Sequence, residues 1–197
     1  MSFNLLGVRV KLSFFLLTLL ALFSFLDKSN LIILAILSSF IHELGHIVAA
    51  HLLGCGVKQI DFTPCGIKMI LAKPLSLVNT YKKIVVLSAG CAVNLILFTI
   101  FLAFNQKNIA LINLSIAIFN LIPVTTLDGG RILRELLGLT FDDRTSDTIS
   151  DGISLVFSAI LFILGSVVLI YSGYNFSLIL TSIYLAITVI MRQKKLN

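Results

Sequence analysis

Charge is what this sequence has least of. Only 12% of its 197 residues are Asp, Glu, Lys or Arg, while 58% are hydrophobic; an ordinary soluble domain carries about a quarter charged residues. A large soluble core would still need a charged shell, and none is available. With a mean hydropathy of +1.06, the chain reads as an integral membrane protein with no room for a sizeable second domain. Cysteine is scarce too. Cys55, Cys65 and Cys91 are an odd count with no CxxC spacing, which argues against a disulfide framework or a Cys-based zinc site. Cys91 lies in an apolar run and reads as a small buried residue. No A-x-A pattern follows the first apolar run, which Asp27 and Lys28 close instead, so it reads as a retained span and not a cleaved signal peptide. No internal repeat or low-complexity tract is visible. The net charge of +6 is no nucleic-acid footprint, because the basic residues flank apolar runs and form no single stripe.

What is present is a series of six apolar stretches, at residues 12–26, 31–53, 84–104, 109–122, 153–171 and 176–191. A full span needs roughly 20 residues. The first is short and is expected to extend back toward Phe3. The fourth is interrupted at Pro123, with 130–139 as the rest of a broken helix. Of the 15 Lys and Arg residues, this layout leaves only Lys28 and Lys107 on the side opposite the N-terminus. That bias places both termini in the cytosol. The expected fold class is thus all-α integral membrane: six transmembrane helices, the fourth broken, in one domain spanning 1–197. Segment 57–73 mixes apolar and polar residues around Thr63-Pro64-Cys65-Gly66. It reads as a short β-hairpin between spans two and three or, equally, as an amphipathic connector. Segment 140–152 is polar and acidic and reads as a solvated cytosolic loop.

Inside the second stretch stands His42-Glu43-Leu44-Gly45-His46. Two histidines four residues apart on a helix are offset by roughly 40°, so both imidazoles can face one zinc ion. Glu43 lies about 100° from His42, placed to take a proton from a water whose pKa the metal lowers toward roughly 7. Three ionisable groups within five positions of a span cost about 2.5–3.5 kcal/mol each on insertion scales and call for a compensating role. A purely structural hydrogen-bonding trio is the bland alternative. A catalytic zinc usually takes three protein ligands and a water. His51 is offset by roughly 180° from His42 and reads as an interfacial residue. Asp128 is the better third ligand, because Pro123 breaks the helix and Gly129-Gly130 permit tight turns where a wet cavity is required. Its alternative is a helix N-cap for 129–139, and one residue can do both.

These motifs, together with Ala89-Gly90-Cys91-Ala92-Val93-Asn94 and Asn120-x-x-Pro123 before Leu127-Asp128-Gly129-Gly130, resemble the site-2 proteases, intramembrane zinc peptidases of family M50. The layout is similar to the minimal six-span branch that includes stage IV sporulation protein FB. The resemblance implies zinc on His42, His46 and Asp128, with Glu43 as general base. It implies that Asn94 and Asn120 orient the substrate carbonyl or stabilise its oxyanion; helix–helix hydrogen bonding is the alternative for each. It further implies a bacterial cell-membrane location, facing the mother cell in a sporulation member. The substrate would be a membrane-tethered regulatory protein such as a sigma-factor precursor, and membrane-protein inhibitors would act on the enzyme. Two departures stand out. Cys91 occupies a position where the family often has proline, and only 192–197 follow the last span, where sporulation relatives carry a CBS domain. A zinc transporter and an inactive protease-like scaffold are the rival readings.

Overall fold

The computed structural model describes residues 2–5, 8–12, 30–55, 57–63, 66–71 and 79–196. Most of the first apolar stretch, and Pro64 and Cys65, lie outside them. The chain divides into two compact units, Met1–Phe119 and Asn120–Asn197.

Among the described residues the first unit contains four strands and two long helices, and most of a third. Strands β1 (Ser2–Leu5) and β2 (Val8–Leu12) pair antiparallel, β2 pairs parallel with β3 (Val57–Thr63), and β3 pairs antiparallel with β4 (Gly66–Leu71). The first span therefore does not reach back to Phe3. Residues 2–12 alternate apolar and polar, as Phe3-Asn4-Leu5 and Val8-Arg9-Val10-Lys11-Leu12 show, and that period of two suits a pleated strand.

Helix α1 (Leu31–Leu52) and helix α2 (Thr80–Ala103) are each long and apolar enough to cross a membrane. They run antiparallel and in close contact. Lys82 Nζ donates to the Leu53 carbonyl at 3.1 Å at one end, and Ala50, Cys55 and Val86 pack as a small buried cluster beside it. A Cβ at Gly45 would meet the Ala89 carbonyl and the Val93 side chain at 3.0 Å, so glycine lets the two backbones approach. Helix α2 begins on a side-chain cap, with Tyr81 N donating to Asn79 Oδ1 at 2.9 Å. Helix α3 (Lys107–Leu121) is apolar but shorter.

The second unit holds helices α4 (Asp128–Leu137), α5 (Asp143–Ser172) and α6 (Ser177–Leu196). Among the described residues α5 is the third helix long and apolar enough to span. Residues 143–152 belong to α5, so the expected loop 140–152 shrinks to a short connector. Its polarity is that of a helix start. Asp142 caps the helix, accepting from Thr145 N at 3.1 Å and Thr145 Oγ1 at 2.6 Å, which satisfies donors that a first turn leaves open. Ser146, Ser150, Ser154 and Ser158 then recur every four residues on one buried face. At the polar end of this unit Asp147 accepts from Arg134 Nε at 2.6 Å and from Arg192 Nη2 at 2.5 Å. Asp151, 1% exposed, accepts from Arg192 Nη1 at 3.2 Å. One acidic face of α5 thereby ties α4 and α6.

Candidate metal centre

On α1 the residues Ser38, His42, Gly45, His46 and Ala50 are buried, a stripe spaced three and four apart as helical periodicity requires. His42 and His46 are consecutive turns of that stripe. Their Nε2 atoms stand 3.2 Å apart and their rings meet edge to face at 84°. Two imidazole nitrogens that close suit a shared cation.

The second nitrogen of His46 decides which tautomer reaches that point. Its Nδ1 donates to the Val86 carbonyl of α2 at 2.7 Å. The proton therefore resides on Nδ1, and Nε2 keeps its lone pair for a metal. Gly90, one turn along α2, lies directly against the rings: a Cβ there would meet His42 Nε2 and His46 Cε1 at 2.7 Å, and would overlap His46 Nε2. The glycine is needed for space, since any side chain would occupy the volume between the two nitrogens. Cys91, 2% exposed, offers its sulfur within 4.8 Å of a His42 ligand atom. Sequence reasoning set this residue aside, although its position next to Gly90 was the available signal. Glu43 is half-buried beside the pair, and His51 is exposed in the last turn of α1.

Asn94 follows Gly90 by one turn and is fully buried. Neither its Oδ1 nor its Nδ2 has a hydrogen-bond partner, so the interhelical hydrogen bond offered as its alternative role is not made.

In the second unit Asp128 is buried, 7% exposed, and is the first residue of α4. The cap position is Leu127, and no side chain caps this helix, so Asp128 does not serve as the N-cap. A carboxylate in the first turn instead sits at the positive end of the helix dipole. The approach to it is tightly built. Leu127 N donates to the Val124 carbonyl at 2.7 Å and Thr125 N to Ser154 Oγ at 2.9 Å. A Cβ at Gly129 would overlap the Leu121 carbonyl, and one at Gly130 the Val124 carbonyl. Asn120 is half-buried near the end of α3.

The family model Peptidase family M50 matches residues 106–164, the stretch from α3 into α5. A zinc metalloprotease of Methanocaldococcus jannaschii is 27% identical over 201 residues, with 92% of this chain and 57% of that relative covered. The solved structure of a site-2 protease from Methanocaldococcus jannaschii aligns with a TM-score of 0.69 at 25% identity, covering 97% of this chain and 94% of that one. This chain has the fold of a site-2 protease and resembles family M50 peptidases over residues 106–164. It spans 57% of the length of the metalloprotease it matches. The two imidazoles of the first unit are chemically apt for zinc, a borderline metal that takes neutral imidazole nitrogen readily.

Proposed function

We propose that this chain is an intramembrane zinc metalloendopeptidase that hydrolyses a peptide bond in or beside a transmembrane segment. One observation carries the reading: the paired His42 and His46 nitrogens, 3.2 Å apart, with His46 locked as an Nε2 ligand by Val86 and room kept by Gly90. His42, His46 and Asp128 are the proposed zinc ligands. When bound, zinc supplies Lewis-acid polarisation of the scissile carbonyl and lowers the pKa of the attacking water. Glu43 takes the proton of that water and passes it to the leaving amine. Asn120 orients the scissile carbonyl or steadies its oxyanion. A helical substrate hides its carbonyls, so the segment must unwind first. Strands β3 and β4 are proposed to hold the unwound segment by edge pairing.

The six-span layout, with α3 and α4 as the halves of a broken fourth span, both termini cytosolic and one membrane-embedded domain across 1–197, belongs to the same proposal. So do a membrane-tethered regulatory substrate, a sporulation sigma-factor precursor in particular, and inhibition by other membrane proteins. The charge bias that puts the C-terminal end of α1 in the cytosol supports cleavage in the cytosolic half of the bilayer.

Comparing wild type with Glu43→Gln tests the reading. Bound zinc is expected to be equal in the two, and cleavage of a tethered substrate to fall at least about 100-fold in the variant. A zinc transporter would retain most of its transport after this change, and a scaffold would cleave in neither form. Either result overturns the peptidase.

A further inference from the structure

A second polar layer lies one helical turn beyond the histidines, and the peptidase chemistry does not use it. Because α1 and α2 are antiparallel and Gly90 abuts His42 and His46, stepping four residues back from His42 and four forward from Gly90 moves the same way. Both steps cover about 6 Å and reach Ser38 and Asn94. Ser38 is 5% exposed and Asn94 fully buried. Helix α3 adds a third member at this level: Asn113, also fully buried, donates from Nδ2 to Ser38 Oγ at 3.2 Å and to its own Ile109 carbonyl at 2.9 Å. The layer is not closed on itself. Asn94 Oδ1, Asn94 Nδ2 and Asn113 Oδ1 have no hydrogen-bond partner.

We propose that Ser38, Asn94 and Asn113 enclose a buried water site one turn from the metal-binding histidines. The chemistry of the open groups selects the ligand. They are two carbonyl acceptors and one amide donor, all neutral. A cation is disfavoured because the Asn94 amide presents N–H groups, and an anion because the carbonyl oxygens repel it. Water both donates and accepts, and a buried water usually makes about three hydrogen bonds to such groups. This assigns Asn94 to water and not to the substrate carbonyl. On the peptidase reading, on which this further role rests, the layer holds a store of the hydrolytic reagent inside the bilayer, within one helical turn of the site that consumes it.

The experiment uses the full chain in lipid nanodiscs with isotope-labelled asparagine, in the Glu43→Gln background so that hydrolysis plays no part. Water-to-amide cross-relaxation is read at the asparagine side chains. Strong cross-peaks from long-lived water are expected at the Asn94 and Asn113 Nδ2 protons, each resonance being assigned by its disappearance in Asn94→Leu or Asn113→Leu. Asn113→Leu is expected to weaken the Asn94 water peak several-fold with zinc content unchanged. Ser38→Ala, a smaller deletion, replaces it if that variant does not fold. An Asn94 amide with no water contact in the folded protein overturns the site, whatever the protein cleaves. The storage role is read separately in active protein: Asn113→Leu should lower kcat several-fold with KM unchanged. An unchanged kcat beside a lost water peak overturns that role alone and leaves the hydrated layer standing.

Discussion

At the residue scale the candidate metal centre depends as much on an absent side chain as on those present. Gly90→Ala would drive a methyl group into both imidazoles, and neither ring can retreat without leaving its rotamer or breaking the His46–Val86 hydrogen bond. Bound zinc is therefore expected to drop at least tenfold in Gly90→Ala, a loss of about 1.4 kcal/mol or more, measured by metal analysis of the folded protein. The control is Gly54→Ala. It changes a glycine with a left-handed φ of 68° and no atom near its Cβ, so it should cost stability and leave zinc bound. The meeting of His42 and His46 on one buried face was legible in the sequence because helical spacing is arithmetic; the roles of Glu43 and Asp128 are proposals. The unpaired amide of Asn94 was not legible. Whether a polar group finds a partner depends on what other helices bring to its level, and no spacing rule contains that.

At the element scale the polar start of α5 was misjudged as a loop because polarity was read without its capping signal. Thr145 donates to Asp142 from both hydroxyl and backbone, and these hydrogen bonds hold the Asp142 carboxyl below its ordinary value. A depressed carboxyl pKa in the folded state gives stability that is present above the unfolded-state pKa and lost as pH falls through the folded one. Asp142→Ala should accordingly lower the melting temperature at neutral pH, and the difference from wild type should vanish under strongly acidic conditions. The opposite end of the same acidic run depends on Arg192. Arg192→Met removes the guanidinium that donates to the buried Asp151 carboxylate, and losing a hydrogen bond to a charged group costs about 1.5–3 kcal/mol. Thermal or denaturant unfolding in micelles would register a loss of that order. The strands at residues 2–12 were missed for a different reason. A short alternating segment ahead of a long apolar run is easily absorbed into the run, and only pairing with β3 separates them.

At the scale of the whole molecule, the site-2 protease fold was foreshadowed by low charge, long apolar stretches and motifs scattered over distant segments. The parallel pairing of β2 with β3 was not, because the two strands are separated by all of α1. On the proposed ligand set, whose members His42 and Asp128 are far apart in sequence, metal loading should be a property of global stability. At free zinc 100-fold above the dissociation constant, binding to the folded state alone contributes about 2.7 kcal/mol. Chelation should therefore lower the melting temperature of wild type and leave that of Asp128→Asn almost unmoved; equal shifts in both would remove Asp128 from the ligand set. Proline placed within β3 should abolish cleavage of a tethered substrate with zinc content intact, because the strand is assigned to the substrate and not to the metal.

The hydrogen bond from His46 to the Val86 carbonyl has a further consequence for anyone mapping this protein by mutation. Its acceptor is a main-chain oxygen, so replacing Val86 with any other residue leaves the lock in place. A saturation screen would score position 86 by the size and greasiness it tolerates and would register nothing of its part in choosing the imidazole tautomer. That part becomes visible only when the backbone itself is edited, for instance by exchanging the 86–87 amide for an ester, whose carbonyl is the weaker acceptor. What protects the metal centre here is written in atoms that the genetic code does not vary.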